Sequence, residues 1–280
     1  MLNSDAKKEA LSIHGKASDK YNATIAEVQK KCEQLYFTRQ WAIVEIEAVE
    51  ALISSVANTP KEFETKMSSI KTERIKFRET ESYAAEAYQN AKSSGVNVMA
   101  GVAAGMAFAS MAPTAAMWAA TTFGTASTGA AISTLYGAAA ASAKLAWLGG
   151  GALVAGGGGV VGGQALLAMA GPIGWGISAA TTAFSLAAFS GKNKKVADEA
   201  IEEAKKITIA GAGLAETGAI VAQLDNETKL ILDNLKARLA DLEKTRDGSY
   251  AELSDDDQTC LGTLVNNALS LAESLNKTVG

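Results

Sequence analysis

The chain has 280 residues, with 26 Lys plus Arg against 30 Asp plus Glu, one His, two Cys and three Pro. With His14 as the only imidazole and Cys32 and Cys260 far apart, neither a zinc site nor a Ser-His-Asp relay has its parts, and two Cys make no disulfide framework. A net charge of -4 offers no basic face to neutralise phosphates, so nucleic acid is not an expected partner.

Charge is spread unevenly. Residues 1–92 carry 14 basic and 14 acidic side chains and residues 192–280 carry 11 and 16, whereas Ser93 to Gly191 contains one charge, Lys144, and 19 of the 26 Gly. The chain therefore reads as three domains: an amphipathic helical arm over 1–92, an apolar Gly/Ala-rich membrane-active segment over 93–191, and a second amphipathic arm over 192–280. The opening Met1-Leu2-Asn3-Ser4-Asp5 is polar and no apolar run follows its lysines, so no Sec-type signal is read. The expected location is a soluble form, cytoplasmic or secreted without a Sec signal peptide, followed by a target membrane.

In the first arm Tyr21, Ile25, Val28, Cys32, Leu35, Arg39, Ala42, Ile46, Val49, Ile53 and Val56 recur in alternating steps of four and three. That is the 3.5-residue period of a helix burying one stripe against other helices, with Arg39 its only charged member. The predicted helix covers 4–57, roughly 80 Å at 1.5 Å per residue. Asn58-Thr59-Pro60-Lys61-Glu62 marks the next start, with Thr at the N-cap and Pro at the first helical position. A second helix over 60–92 carries Phe63, Met67, Ile70, Phe77 and Ala84 on one face.

The apolar middle follows. Val96 to Ala120 is uncharged, longer than the ~20 residues needed to cross a hydrocarbon core, and Pro113 interrupts it. Leu145–Ala170 and Pro172–Ser190 are further apolar stretches. Small residues recur four apart, at Gly101, Gly105 and Ala109 and again at Gly151, Ala155, Gly159 and Gly163, the spacing that lets helix backbones approach closely in a bilayer. Trp118, Trp147 and Trp175 fit a membrane interface or core gaps. These ten residues are the candidate membrane-insertion set. Few Leu and Ile are present, so transfer to lipid is only marginally favourable per residue, and the same segment suits burial against soluble helices.

In the second arm, a helix over 193–246 keeps the seam spacing at Val221, Leu224, Thr228, Ile231, Leu235, Arg238 and Leu242, while Gly211, Gly213 and Gly218 predict a bend or break near 211–218. Ser254-Asp255-Asp256-Asp257 places acid at the start of a last helix bearing Leu261, Leu264, Ala268, Leu271 and Leu275. The expected bundle seam is Tyr21, Ile25, Val28, Leu35, Ile46, Val49, Ile53, Val221, Leu224, Ile231, Leu235 and Leu242. Interspersed Lys and Glu read as solvated outer faces, His14 as an ordinary surface residue and Cys32 as core.

The run Gly124-Thr125-Ala126-Ser127-Thr128-Gly129-Ala130-Ala131-Ile132, with Gly137-Ala138-Ala139-Ala140 and Leu145-Ala146-Trp147-Leu148-Gly149-Gly150-Gly151, resembles the Gly/Ala-rich motif of bacterial glycine-zipper membrane-associated proteins, and also the interferon-inducible small membrane proteins. The resemblance covers about 40 residues and implies a membrane-associated hairpin. In layout alone, the long amphipathic helices around one apolar segment are similar to the cytolysin A-type α-helical pore-forming toxins. That family implies an apolar segment tucked against a soluble bundle that swings out when protomers assemble. This chain departs from it in the length of its apolar segment, 99 residues from Ser93 to Gly191.

The expected fold is all-α: an elongated bundle of long amphipathic helices with an apolar Gly/Ala-rich helical head or hairpin. The expected function is that of an α-helical pore-forming toxin or toxin component, with lipid membrane as partner and a homo-oligomer or partner toxin subunit in the assembly. No catalytic, cofactor-binding or metal residues are expected, and no small-molecule substrate. The alternative is a constitutive membrane-spanning assembly or scaffold protein with coiled-coil interaction arms.

Overall fold

A computed structural model of the chain describes residues 2–93, 113–124, 130, 132–135, 139–140, 143 and 193–278. Among these residues the protein is all-α, with five α-helices: α1 (Leu2–Ser55), α2 (Lys61–Ser93), α3 (Pro113–Phe123), α4 (Asn193–Leu242) and α5 (Asp255–Ser274). Each arm thus holds the two helices that its apolar spacing calls for. The chain divides into two compact units, one made of Met1–Glu33 and Tyr83–Ile220 with Val279, the other of Gln34–Ser82 and Val221–Thr278 with Gly280. Each unit draws on both arms.

The second unit is a four-helix bundle made of two helical hairpins. Partners along α1 and α4 rise together: Thr38 donates to Asp225 at 2.6 Å, Glu45 faces Lys236, and the Ser55 hydroxyl accepts from the Asp247 N–H at 3.2 Å, so these segments run parallel. α2 returns antiparallel to α1, its Arg74 bridging Glu47 and Glu50. α5 runs with α2, through Lys66 to Asn266 and Asn276 to the Glu73 carbonyl. The seam is built from Leu35, Ile46, Val49, Ile53, Val221, Leu235 and Leu242, all buried as their spacing predicts; Leu224 and Ile231 are half-buried. Leu261, Leu264, Ala268 and Leu271 of α5 and Leu275 at its C-cap are also buried, as are Phe63, Ile70 and Phe77 of α2, with Met67 half-buried.

Both hairpin loops lie at the same end of this bundle and are joined by backbone. The Ala57 N–H donates to the Gly248 carbonyl and the Tyr250 N–H to the Ala57 carbonyl, each at 2.8 Å. Asn58 and Asp247 make this possible by taking positive φ, 55° and 60°, the left-handed conformation that Asn and Asp tolerate better than other non-glycine residues. α2 begins at Lys61, one residue after Pro60, and α5 is N-capped by Ser254, whose hydroxyl accepts from the Asp257 N–H. The three aspartates of its first turn sit where the helix dipole favours negative charge.

The first unit pairs the opening part of α1 with that of α4, again in parallel. Tyr21 and Val28 of the predicted seam are buried, Cys32 is core as expected, and Ile25's side chain lies outside the described residues. Ala10, Ala197 and Ala200 make a shared cluster with Leu11 and Ile201 against it. α4 continues as one helix through 211–218, without the predicted break. The reason is close packing. A Cβ on Gly218 would sit 2.6 Å from Val28 Cγ2 and one on Gly211 3.5 Å from the Tyr21 ring, so two of the three glycines lie where α1 comes nearest. Their lower helix propensity is offset by that contact.

Candidate membrane-active surface

Of the residues expected to enter lipid, Gly101, Gly105, Ala109, Trp147, Gly151, Ala155, Gly159, Gly163 and Trp175 lie outside the described residues, and Trp118 alone is placed. Trp118 belongs to α3, is 1 % exposed, and meets Phe123 edge-on with ring centroids 5.5 Å apart. Ala115, Ala119 and Ala120 of the same helix are buried. Gly124 ends it: its N–H donates to the Ala120 carbonyl and its own carbonyl accepts from the Ile132 N–H at 2.9 Å. A Cβ there would run into the Ala120 carbonyl oxygen and lie 2.7 Å from Ile132 Cδ1, so the close approach requires glycine. The Trp118 indole thus fills a packed interior.

Two apolar surfaces were not anticipated by the sequence reading. Among the described residues one helix, α4, is long and apolar enough to cross a membrane by length and composition, and 28 % of its apolar stretch is buried inside the protein. Between Lys206 and Asp225 its one charge is Glu216. Ile207, Ala210, Leu214, Gly218 and Val221 point inward; Thr208, Ile209, Ala212, Gly213, Ala215 and Ala219 face outward, Ile209 being 73 % exposed. A running hydropathy average across Glu216 finds this stretch, whereas a search for uncharged runs stops at it.

The other surface is a short stripe on α1. Phe37, Trp41 and Val44, at i, i+4 and i+7, share a face off the seam, and Trp41 is 61 % exposed. Lys236 Nζ stands 5.9 Å from the Trp41 ring centroid, within cation-π range.

Several polar side chains are enclosed within the bundle. Asp225, buried, accepts from Thr38 and from Lys229, each at 2.6 Å. Arg39, the charged member of the seam, is 0 % exposed, and its Nη2 donates to the Lys277 carbonyl at 2.8 Å, just beyond the end of α5. Asp225 departs from the expectation that arm charges lie on solvated faces, whereas Arg39 lies on the seam stripe of the sequence reading. Tyr36 donates to Glu81 at 2.5 Å, and burial, reinforced by that carboxylate, pushes its phenol pKa up. Burial likewise raises Glu50 against the lowering pull of Arg74. In the first unit His14 is not an ordinary surface residue: its imidazole lies 3.3 Å from Glu203 with its side chain 12 % exposed, and its proximity holds the exposed Glu203 carboxyl below its usual range.

A groove of about 490 Å³ lies between α2 and the start of α5. Its polar walls are tied together: Lys66 bonds Asn266 and Glu62, and Gln258 donates to the Tyr250 and Leu253 carbonyls. Among the described residues no three His, Cys, Asp or Glu side chains converge as a metal site requires. Comparison with known proteins returned no match: no family model fits the chain, and no curated protein or solved structure is similar to it.

Proposed function

We propose that the protein permeabilises lipid bilayers as a pore-forming toxin or toxin component, passing from a water-soluble form to a membrane-inserted oligomer. The observation that carries this reading is the tract from Ser93 to Gly191, with Lys144 as its one charge, set between arms that fold as long amphipathic helices. A tract rich in Gly, Ala, Ser and Thr is apolar enough to enter hydrocarbon, where its four-residue small-residue spacing favours helix association, yet too poor in Leu and Ile to be held there irrevocably. Two environments of similar free energy are what a convertible protein needs, and association in the membrane then selects the inserted state. Trp147 and Trp175 are proposed interface anchors and Lys144 a residue that reaches a headgroup.

Dye release from lipid vesicles tests the reading. Protein purified without detergent is expected to empty vesicles in a concentration-dependent way; folded protein that leaves them intact across lipid compositions contradicts it. A constitutive membrane-spanning scaffold is the second reading, favoured by the largely unburied apolar stretch of α4. Fractionation separates the two, because a permanent membrane protein stays in the pellet until detergent is added.

A further inference from the structure

We propose that copies of this chain join in series through two complementary faces of the four-helix bundle: the Phe37–Trp41–Val44 stripe of α1 in one copy receives the outward face of α4 around Leu230 in the next. The inference rests on the pore reading above and names the partner in that assembly as a second copy. Trp41 and Leu230 are the most exposed large apolar side chains of this unit, at 61 % and 67 %. The stripe continues past Val44 through half-buried Ala48 and exposed Ala51 in steps of four and three, so α1 carries a second seam of 3.5-residue period on the outside of the bundle. A seam of that period fits another helix, and Trp is among the residues that most often anchor a protein interface.

Charge decides which helix. Cations stand on both sides of Trp41: Lys236 lies over its ring, and Arg78 of α2 donates to the neighbouring Gln40. Lys229, two turns before Lys236 on α4, extends the same rim. The three pair with Glu45, Glu81 and Asp225 respectively, yet in each pair the cation is the more exposed member, so the rim presents positive charge to a partner. Glu47, more exposed than its partner Arg74, opposes this on the α2 side. The outward face of α4 has the opposite character. Asn226, Leu230, Asp233, Asn234, Ala237 and Asp241 share it, all exposed, and Glu227 lies at its edge. These residues include no Lys or Arg, and Asp233 and Asp241 form no ion pair among the described residues. A branched apolar side chain ringed by carboxylates thus matches an aromatic stripe rimmed by cations.

Both faces belong to one folded unit and point out of it from adjacent helices, so they cannot meet within a single molecule. Joined head to tail, copies leave a free stripe at one end of the assembly and a free acidic face at the other, and addition continues until a ring closes. A closed ring is the form of assembly that can enclose a water-filled passage.

Sedimentation velocity of detergent-free protein at rising concentration tests the contact. The mass is expected to grow beyond a pair at low salt and to fall back as salt screens the two faces. Trp41→Ser and Leu230→Ser, both at exposed positions, are each expected to weaken association about tenfold, as is Asp233→Asn combined with Asp241→Asn. Mixing gives the sharper readout. Trp41→Ser keeps its acidic face and Leu230→Ser keeps its stripe, so equal amounts of the two are expected to form pairs and nothing larger, at a concentration where each alone stays single. A wild-type mass that stays constant with concentration, or that stops at a pair, overturns the inference, as do variants that assemble like wild type or a mixture without pairs. Vesicle dye release by the same preparation separates this contact from the pore reading. Release without self-association overturns the contact alone, self-association without release overturns the pore reading alone, and absence of both overturns both.

Discussion

Arg39 shows how a single buried cation is accommodated. It occupies a seam position, is wholly enclosed, and donates to the Lys277 carbonyl beyond the end of α5, where the helix dipole presents negative potential. Truncation leaves a cavity and deprives that carbonyl of its donor. Arg39→Ala is therefore expected to lower stability by about 3 kcal/mol in urea unfolding, while Arg39→Met, which refills the space without a buried charge, recovers most of the loss. Equal midpoints for wild type and Arg39→Ala contradict this role. At the contact between His14 and Glu203, the nearby imidazole holds the Glu203 carboxyl below the ordinary carboxylate value of 4.5. A carboxyl whose folded pKa is depressed contributes stability at pH above its unfolded value, and that contribution is lost as pH falls through the folded value. Glu203→Gln is accordingly expected to unfold at lower urea than wild type at pH 6, with the gap closing on acidification below the carboxylate range. A gap that is the same at pH 6 and pH 3 contradicts it.

At the scale of elements, the glycines of α4 divide into two kinds. Gly218 lets the helix approach Val28, where a Cβ would lie 2.6 Å from Cγ2 of a buried, stiff side chain, so Gly218→Ala is expected to destabilise by about 1–2 kcal/mol despite its gain in helix propensity. Gly213 faces open space, and Gly213→Ala is expected to stabilise by roughly 0.5–1 kcal/mol. Thermal unfolding of the two variants checks both signs. The same contrast explains what was legible in the sequence. Alternating steps of three and four match the buried positions of α1 from Tyr21 to Val56 wherever side chains are described, because burying a stripe is a local pattern on one helix. On α4 they match Val221, Thr228, Leu235 and Leu242, while Leu224, Ile231 and Arg238 are half-buried and Asp225 and Leu232 are buried instead. The break expected near 211–218 did not occur because partners 190 residues away, Tyr21 and Val28, compensate for the glycines. The Thr38–Asp225 bond joins residues 187 apart and leaves no local mark. Phe37, Trp41 and Val44 did leave one, as large apolar residues off the seam, but spacing alone does not distinguish an exposed stripe from a second buried one. Of the predicted insertion residues, Trp118 is buried in α3 and the rest fall outside the described residues.

For the molecule as a whole, the proposed function requires the nonionic tract from Ser93 to Gly191 to leave water for hydrocarbon while the helical arms keep their pairing. The arms carry the features of a stable scaffold: α1 and α4 paired in parallel within each unit, and a four-helix bundle closed by the Ala57–Gly248–Tyr250 backbone link. The tract carries no such polar anchoring in its composition, with one charge over 99 residues. Under the proposed function, stability and adaptability fall to different stretches of the same chain, and the conversion would involve the one with least to lose in either solvent. The most direct measurement is quenching of Trp147 and Trp175 by brominated lipid, in variants with Trp41 and Trp118 replaced by Phe. Strong quenching when detergent-free protein meets vesicles, with release of their contents over the same time course, is the predicted result. Emission that stays unquenched while the protein is bound to vesicles, or contents that escape with both indoles still in water, contradicts the account.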